Sequence, residues 1–215
     1  MSDWVGELEP AAPDLVAVWL RIEPGQSVRA RREIRRRARE ESVERTLAQL
    51  EATAEALIAL VEGLPEAAFS EPGGEEEWNV AEAIGHVAIA RSGLVVAAGL
   101  AASGRWPADA PTVVPGVPGP SGAARAELVL KLAQSQRIIA RMATSIVGHE
   151  TDPCPLHHPL VGRLRCGEWL FFAGIHDLMH IEQLESIAER LGEAGESASI
   201  RQAGSRRRPG AHLAR

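Results

Sequence analysis

The chain has 215 residues, 45% of them apolar and 24% charged, with a formal net charge of -6. Those proportions exclude a chain disordered throughout, a collagen and a disulfide-stapled miniprotein, and the length suits one domain with appendages. The acidic balance argues against general nucleic-acid binding. Aromatic residues are only 4%, with five Trp, three Phe and no Tyr. Ala, Leu, Val and Ile must then build the core, which favours closely packed helices over an aromatic-rich β-sandwich.

Residues 1–25 are mixed, and Leu15 to Leu20 form a short apolar stretch with no clear placement. Residues 29–39 hold seven arginines: Arg29, Arg31, Arg32, Arg35, Arg36, Arg37 and Arg39. A patch for an anionic partner is one reading. A solvated helical lead-in is favoured, because no aromatic residue interleaves the arginines.

The first strong helix follows. Val43, Leu47, Leu50, Ala54, Leu57 and Val61 step by 4, 3, 4, 3, 4 along one face. Gly63 as a left-handed cap and Pro65 as a breaker would end it. Asn79, three residues before Glu82, predicts a capping box and a second helix to about residue 102, with Val80, Ile84, Val87, Leu94 and Ala98 inward. Its apolar run, Ala83 to Ala102, contains His86 and Arg91 and reads as a buried helix, not a membrane span. Five prolines within 103–120 exclude regular structure there. A third helix is predicted over about 123–147, facing inward with Leu128, Leu132, Ile139, Met142 and Ile146, and stopping at Gly148. After an irregular connection over 149–166, a fourth runs from about Gly167 to Leu191 and stops at Gly192.

The expected fold is all-α: a four-helix bundle over 42–192 with long Pro-rich connections, an N-terminal extension over 1–41 and a disordered tail over 193–215. No strand is expected. Cys154 and Cys166 read as free thiols in a reducing cytosol, and the acidic N-terminus lacks an export signal, so a cytoplasmic location is expected.

The fourth helix turns Trp169, Phe172, His176, His180 (or Met179), Gln183 and Ile187 inward. His176 and His180, at i and i+4, project from one face about 6 Å apart at Cβ, within reach of one metal ion. His86 stands on the second helix between Ala83 and Ala90, whose small side chains leave room around it. Each histidine alone reads more readily as a satisfied core or boundary residue than as a ligand. Together, on inward faces with few polar partners, they are best satisfied by one shared cation. Such a site with neutral imidazoles leaves positions open for water or for a thiol.

The segment Trp78-Asn79-Val80-Ala81-Glu82-Ala83-Ile84-Gly85-His86-Val87 resembles the W-s/n-x-x-E-x-h-x-H-h motif of the DinB/YfiT-like superfamily. His158-Pro159-Leu160-Val161-Gly162-Arg163-Leu164, then Glu168-Trp169-Leu170 and His176 through Leu184, is similar to its second half, H-P-x-x-G-x-h … E-W-L … H-x-x-x-H-x-x-Q-L. The resemblance covers about 42–192. It implies a four-helix bundle, often homodimeric, with a three-histidine metal site at His86, His176 and His180. It also implies either of two activities. One is transfer of a low-molecular-weight thiol such as bacillithiol, mycothiol or glutathione; the other is metal-dependent hydrolysis. Arg165 departs from the pattern, since the family usually has a helix-capping Thr or Ser there.

The expected function is therefore a metal-dependent enzyme, with zinc or nickel activating a thiol. A hydrolase and a non-catalytic metal-binding bundle are the alternatives. A small-molecule substrate and a homodimer are expected, with neither nucleic acid nor membrane as partner. Asp177, Gln183 and Glu82 are candidates to orient the ligands, the last more economically a cap. His158 is a candidate base or proton shuttle. His149, His157 and His212 read as loop or tail residues, and Trp78 and Trp169 as core anchors.

Overall fold

The computed structural model describes residues 3–22, 27–74 and 77–205. These residues form a mostly helical fold with one small hairpin. Three short helices lead: α1 (Trp4–Leu8), α2 (Pro13–Trp19) and α3 (Ser27–Ala38). Four long ones follow: α4 (Val43–Gly63), α5 (Val80–Ala102), α6 (Arg125–Ala143) and α7 (Cys166–Ser205). Between α6 and α7, β1 (Pro153–His158) and β2 (Gly162–Arg165) pair antiparallel.

Each long helix forms where its pattern places it, and its ends follow local chemistry. Ser42 caps α4 by accepting from the Arg45 amide at 3.1 Å. The expected left-handed cap at Gly63 is not adopted. Gly63 is the last helical residue, and the chain turns extended at Leu64 because Pro65 follows. At α5 both halves of the capping box are present: Glu82 N–H donates to Asn79 Oδ1, and Asn79 N–H to Glu82 Oε2, each at 2.9 Å. Helix α6 ends at Ala143, earlier than expected, and a run of turns carries the chain to Gly148, whose φ of 80° is left-handed. Gly192 does not stop α7, which continues to Ser205; of the tail expected to be disordered, residues 206–215 lie outside the described residues, as does His212.

Helices α4 and α5 each pack against both α6 and α7, so consecutive helices α4 and α5 stand at opposite corners. The long connections permit that arrangement. The stripe predicted for α5 is fully inside: Val80, Ile84, Val87, Leu94 and Ala98 are all buried. Helix α5 is also long and apolar enough to cross a membrane, but most of it is buried within this fold.

The hairpin was not expected from sequence. Pro155 and Pro159 obscured it, and its pairing is irregular between Pro153 and His157. The Pro-rich segment joins it, since Val114 N–H donates to His157 O and His157 N–H to Thr112 O, at 2.9 and 2.7 Å.

The N-terminal helices pack on the long ones. Leu15, Val16, Val18 and Ile34 are fully buried. Gln49 on α4 reaches across to cap α2: its Oε1 accepts from the Asp14 and Leu15 amides, and its Nε2 donates to Asp14 Oδ2. Gly174 on α7 exists for this docking, because a Cβ there would lie 2.5 Å from Leu15 Cδ1. The arginine-rich helix α3 is accordingly more than a solvated lead-in. It buries Ala30 and Ile34, and Arg35 donates to Arg163 O at 2.8 Å while pairing with Glu168 at 3.4 Å. With α2 and α3 covering its outer side, α7 is buried all round from Glu168 to Leu178.

Candidate metal centre

The site is assembled from α5 and α7. His86, His176 and His180 are all buried, and each offers a nitrogen within 4.8 Å of the other two. The His176 and His180 Nε2 atoms face each other at 3.3 Å, and the His86 ring lies 5.6 Å from each of the other two.

Two rings are aimed by acceptors behind them. His86 Nδ1 lies 2.7 Å from Val117 O, a carbonyl that can only accept, so Nδ1 carries a proton and, in the neutral ring, Nε2 is the lone pair. Gln183 Nε2 donates to Gly73 O, which turns Gln183 Oε1 toward His180 Nδ1 at 2.7 Å. His180 Nδ1 therefore also donates, and its Nε2 points at the cluster. The third ring differs: His176 Nδ1 is buried with no hydrogen-bond partner. Burial, followed by the neighbouring His180 and His86, pushes the His176 pKa well below its usual 6.5. The ring stays neutral, as a ligand requires.

The carbonyl behind His86 reaches it through a close backbone approach. Gly119 N–H donates to Glu82 O at 2.8 Å, and a Cβ at Gly85 would sit 2.8 Å from Gly119 Cα. The glycine next to His86 in sequence thus lets the Pro-rich segment lie on α5 and present Val117. Gly73 is held similarly, with its N–H bonded to Trp78 O at 2.8 Å. No sequence pattern singled out Val117 or Gly73, because a backbone carbonyl leaves no trace in residue type.

The other sequence candidates divide. Gln183 orients His180, as proposed for it. Asp177 does not orient a ligand. Its carboxylate is fully buried against Arg91 and Thr53, with Arg91 Nη2 at 2.9 Å and Thr53 Oγ1 at 2.7 Å from Oδ2. Arg91 is fully buried too, and it also donates to Ser135 Oγ, Leu50 O and Gln136 Oε1. Glu82 serves the capping box. Trp78 is half-buried and its ring lies 5.0 Å from His86, so it packs on a candidate ligand rather than anchoring the core; Trp169 is the core residue.

His158 ends β1 at the edge of the site, its ring edge-on to Phe172 at 5.0 Å. Burial, with smaller contributions from His157 and His86, lowers its pKa to about 4. His157 sits in β1 with its backbone bonded to the Pro-rich segment, and exposed His149 pairs with Asp152 at 2.8 Å. The two cysteines are free and buried; desolvation raises both, Cys166 to about 12, which leaves neither poised as a nucleophile.

The departure at Arg165 is compensated locally. Glu168 Oε2 accepts from the Arg165 amide at 2.9 Å, while Asp152 O and Glu150 O take the amides of Cys166 and Gly167. The first turn of α7 therefore needs no Ser or Thr cap.

The donor set fits a cation. Three imidazoles converge, two with Nδ1 turned to an acceptor, and the His176 and His180 Nε2 atoms lie 3.3 Å apart. Among the described residues no acidic side chain belongs to this group, and a nitrogen-only imidazole set is of the kind zinc and nickel accept.

The family model of the DinB superfamily covers residues 49–184, including all three histidines. No curated protein and no solved structure matches the chain. With a match over well more than half its length, and with the motif residues gathered in one buried cluster, the chain belongs to the DinB superfamily.

Proposed function

We propose that this protein is a metal-dependent enzyme built on a four-helix bundle. In this reading His86, His176 and His180 hold a divalent cation, zinc or nickel, and the enzyme transfers a low-molecular-weight thiol to an electrophilic small molecule. The observation that carries the metal reading is the turning of His86 and His180 by Val117 O and Gln183, which leaves their Nε2 atoms to the cluster they share with His176. When bound, the cation supplies Lewis acidity, which favours the ionised form of a thiol or a water. The protein's residues hold and orient. Gln183 and Val117 fix the rings, and Phe172 and Trp78 pack against His176 and His86 and limit water.

The thiol reading ranks above hydrolysis on one further observation. A hydrolase gains from a general base beside the site. Among the described residues, Asp177 is committed to Arg91, Glu82 and Glu168 to helix caps, and Glu182 is exposed. His158 Nδ1 accepts from the Leu160 amide at 3.1 Å, so its neutral ring carries the proton on Nε2 and faces its surroundings as a donor. A thiol, far more acidic than water, needs no such base.

Metal analysis of untagged protein, wild type beside His86→Ala, tests the centre. We expect one ion per chain in the wild type and its loss in the variant; a metal-free wild type under replete conditions overturns the reading. Thiol consumption with a bimane electrophile is then compared with ester hydrolysis. Ester turnover without thiol would select the hydrolase. If His176→Ala loses metal and no activity changes, the bundle is a non-catalytic metal binder.

A further inference from the structure

The Pro-rich segment after α5 forms the wall of a groove that begins at His86. The cavity, about 290 Å³, lies between the outer face of α5, the Pro-rich segment and Leu156 of β1. Its lining carries no charged side chain, and His86 and the Trp106 indole supply its side-chain hydrogen-bonding groups. Ile89, Val113 and Val117 are apolar yet 47%, 53% and 41% exposed around it. The wall is preformed, because prolines stiffen it and the Thr112 and Val114 bonds to His157 pin it.

Gly93 forms part of the groove floor, and its place there has no packing explanation. Glycine inside a helix is destabilising relative to alanine, so it normally marks a close approach. Two other glycines of α5 do so: a Cβ at Gly85 meets Gly119, and one at Gly99 would lie 2.7 Å from Met142 Cε. A Cβ at Gly93 meets nothing within 4 Å. What the missing side chain leaves there is open groove.

We propose that this groove seats the apolar body of the substrate, an uncharged small molecule with an aliphatic or aromatic portion whose polar reacting end lies at His86. The assignment of the reacting end rests on the metal centre proposed above; the seating of the apolar body does not. The volume is at the lower end for small-molecule pockets, which are typically apolar with few polar groups. The uncharged lining would leave a charged ligand body without a partner. Because His86 belongs both to the groove and to the histidine cluster, a molecule lying along α5 is delivered to the centre from one side.

The test uses the neutral fluorescent probe N-phenyl-1-naphthylamine with four full-length proteins: wild type, Gly93→Leu, Ile89→Asp and Gly63→Leu. Gly63 lines a separate apolar groove near Trp4 and is the control. We expect saturable binding to the wild type, at least tenfold weaker in Gly93→Leu and Ile89→Asp and unchanged in Gly63→Leu. Melting temperature should not fall in Gly93→Leu, since the space is open; should that variant fail to fold, exposed Ile89→Asp decides. Equal probe affinity in folded groove variants overturns the proposal, as does loss of binding in Gly63→Leu. So does sedimentation showing a wild-type dimer that Gly93→Leu splits, since the groove would then be an interface between copies. Metal content is read on the same samples. Its absence in wild type overturns the metal centre and the reacting end, while probe affinity still decides where the apolar body sits.

Discussion

Two buried polar clusters lie side by side on α7, and they are built on opposite plans. Asp177 and its neighbour His176 differ by one position and face different partners. The Asp177 carboxylate receives Arg91 and Thr53, and the remaining Arg91 donors end on Ser135, Leu50 O and Gln136. That cluster is closed. The histidine cluster leaves His176 Nδ1 unpartnered and brings the His176 and His180 Nε2 atoms to 3.3 Å. A closed polar network in a core holds helices in place; an open one at comparable depth is arranged for something else. Adjacent residues on one helix thus put buried polarity into two different arrangements, one closed and one compatible with a metal ion.

The largest effect should come from opening the closed cluster. Arg91→Met leaves Asp177 as a buried, unpaired carboxylate among α4, α5 and α6, and should destabilise the fold by about 3–5 kcal/mol in chemical denaturation. Removal of both partners, Arg91→Met with Asp177→Leu, should recover much of that loss; an undiminished loss would show that the pair does more than neutralise itself. Next comes the support of the open cluster. Gln183→Ala frees the His180 ring and should weaken metal binding by about 10–100-fold with little change in apo-protein melting. Equal affinity in isothermal titration would mean that the ring is held without it.

Acid sharpens the contrast further. His176 and His158 have pKa values lowered by burial, so they stay neutral in the folded protein but take up protons on unfolding. Their contribution is complete above about pH 6.5. It falls as pH drops from there toward about 4 for His158, and lower still for His176. The apo protein should lose stability across that window, and His176→Leu should flatten the fall; an unchanged pH profile would place the titration elsewhere. The smallest effect belongs to an exposed pair. Lys131 and Glu127, 2.7 Å apart one turn along α6, should contribute only about 0.3–0.5 kcal/mol, read from Glu127→Gln with and without salt.

Much of the core was legible from periodicity. The stripes of α4 and α5 were read correctly because burial of one helical face imposes its spacing on the residues. His176 and His180 share a face for the same reason, and Asn79 with Glu82 announced a helix start that the structure has. The hairpin was hidden by its prolines, and the continuation of α7 through Gly192 by treating glycine as a stop. Arg91 passed as one polar residue in an apolar run, because its partners come from three other helices.

What the sequence by itself determined, then, is which faces are apolar and which histidines stand on them. Both are periodic properties of single helices, set by local geometry. Tertiary structure alone decided that His86 meets the α7 pair, that Asp177 turns to Arg91, and that Val117 O and Gly73 O aim the His86 and His180 rings, directly or through Gln183. These depend on contacts between segments far apart in the chain, several made by backbone atoms that every residue carries. The Pro-rich segment shows the same division. Its prolines exclude helix and strand by their covalent geometry, but only its docking on Gly85 and β1 makes it the wall of a groove.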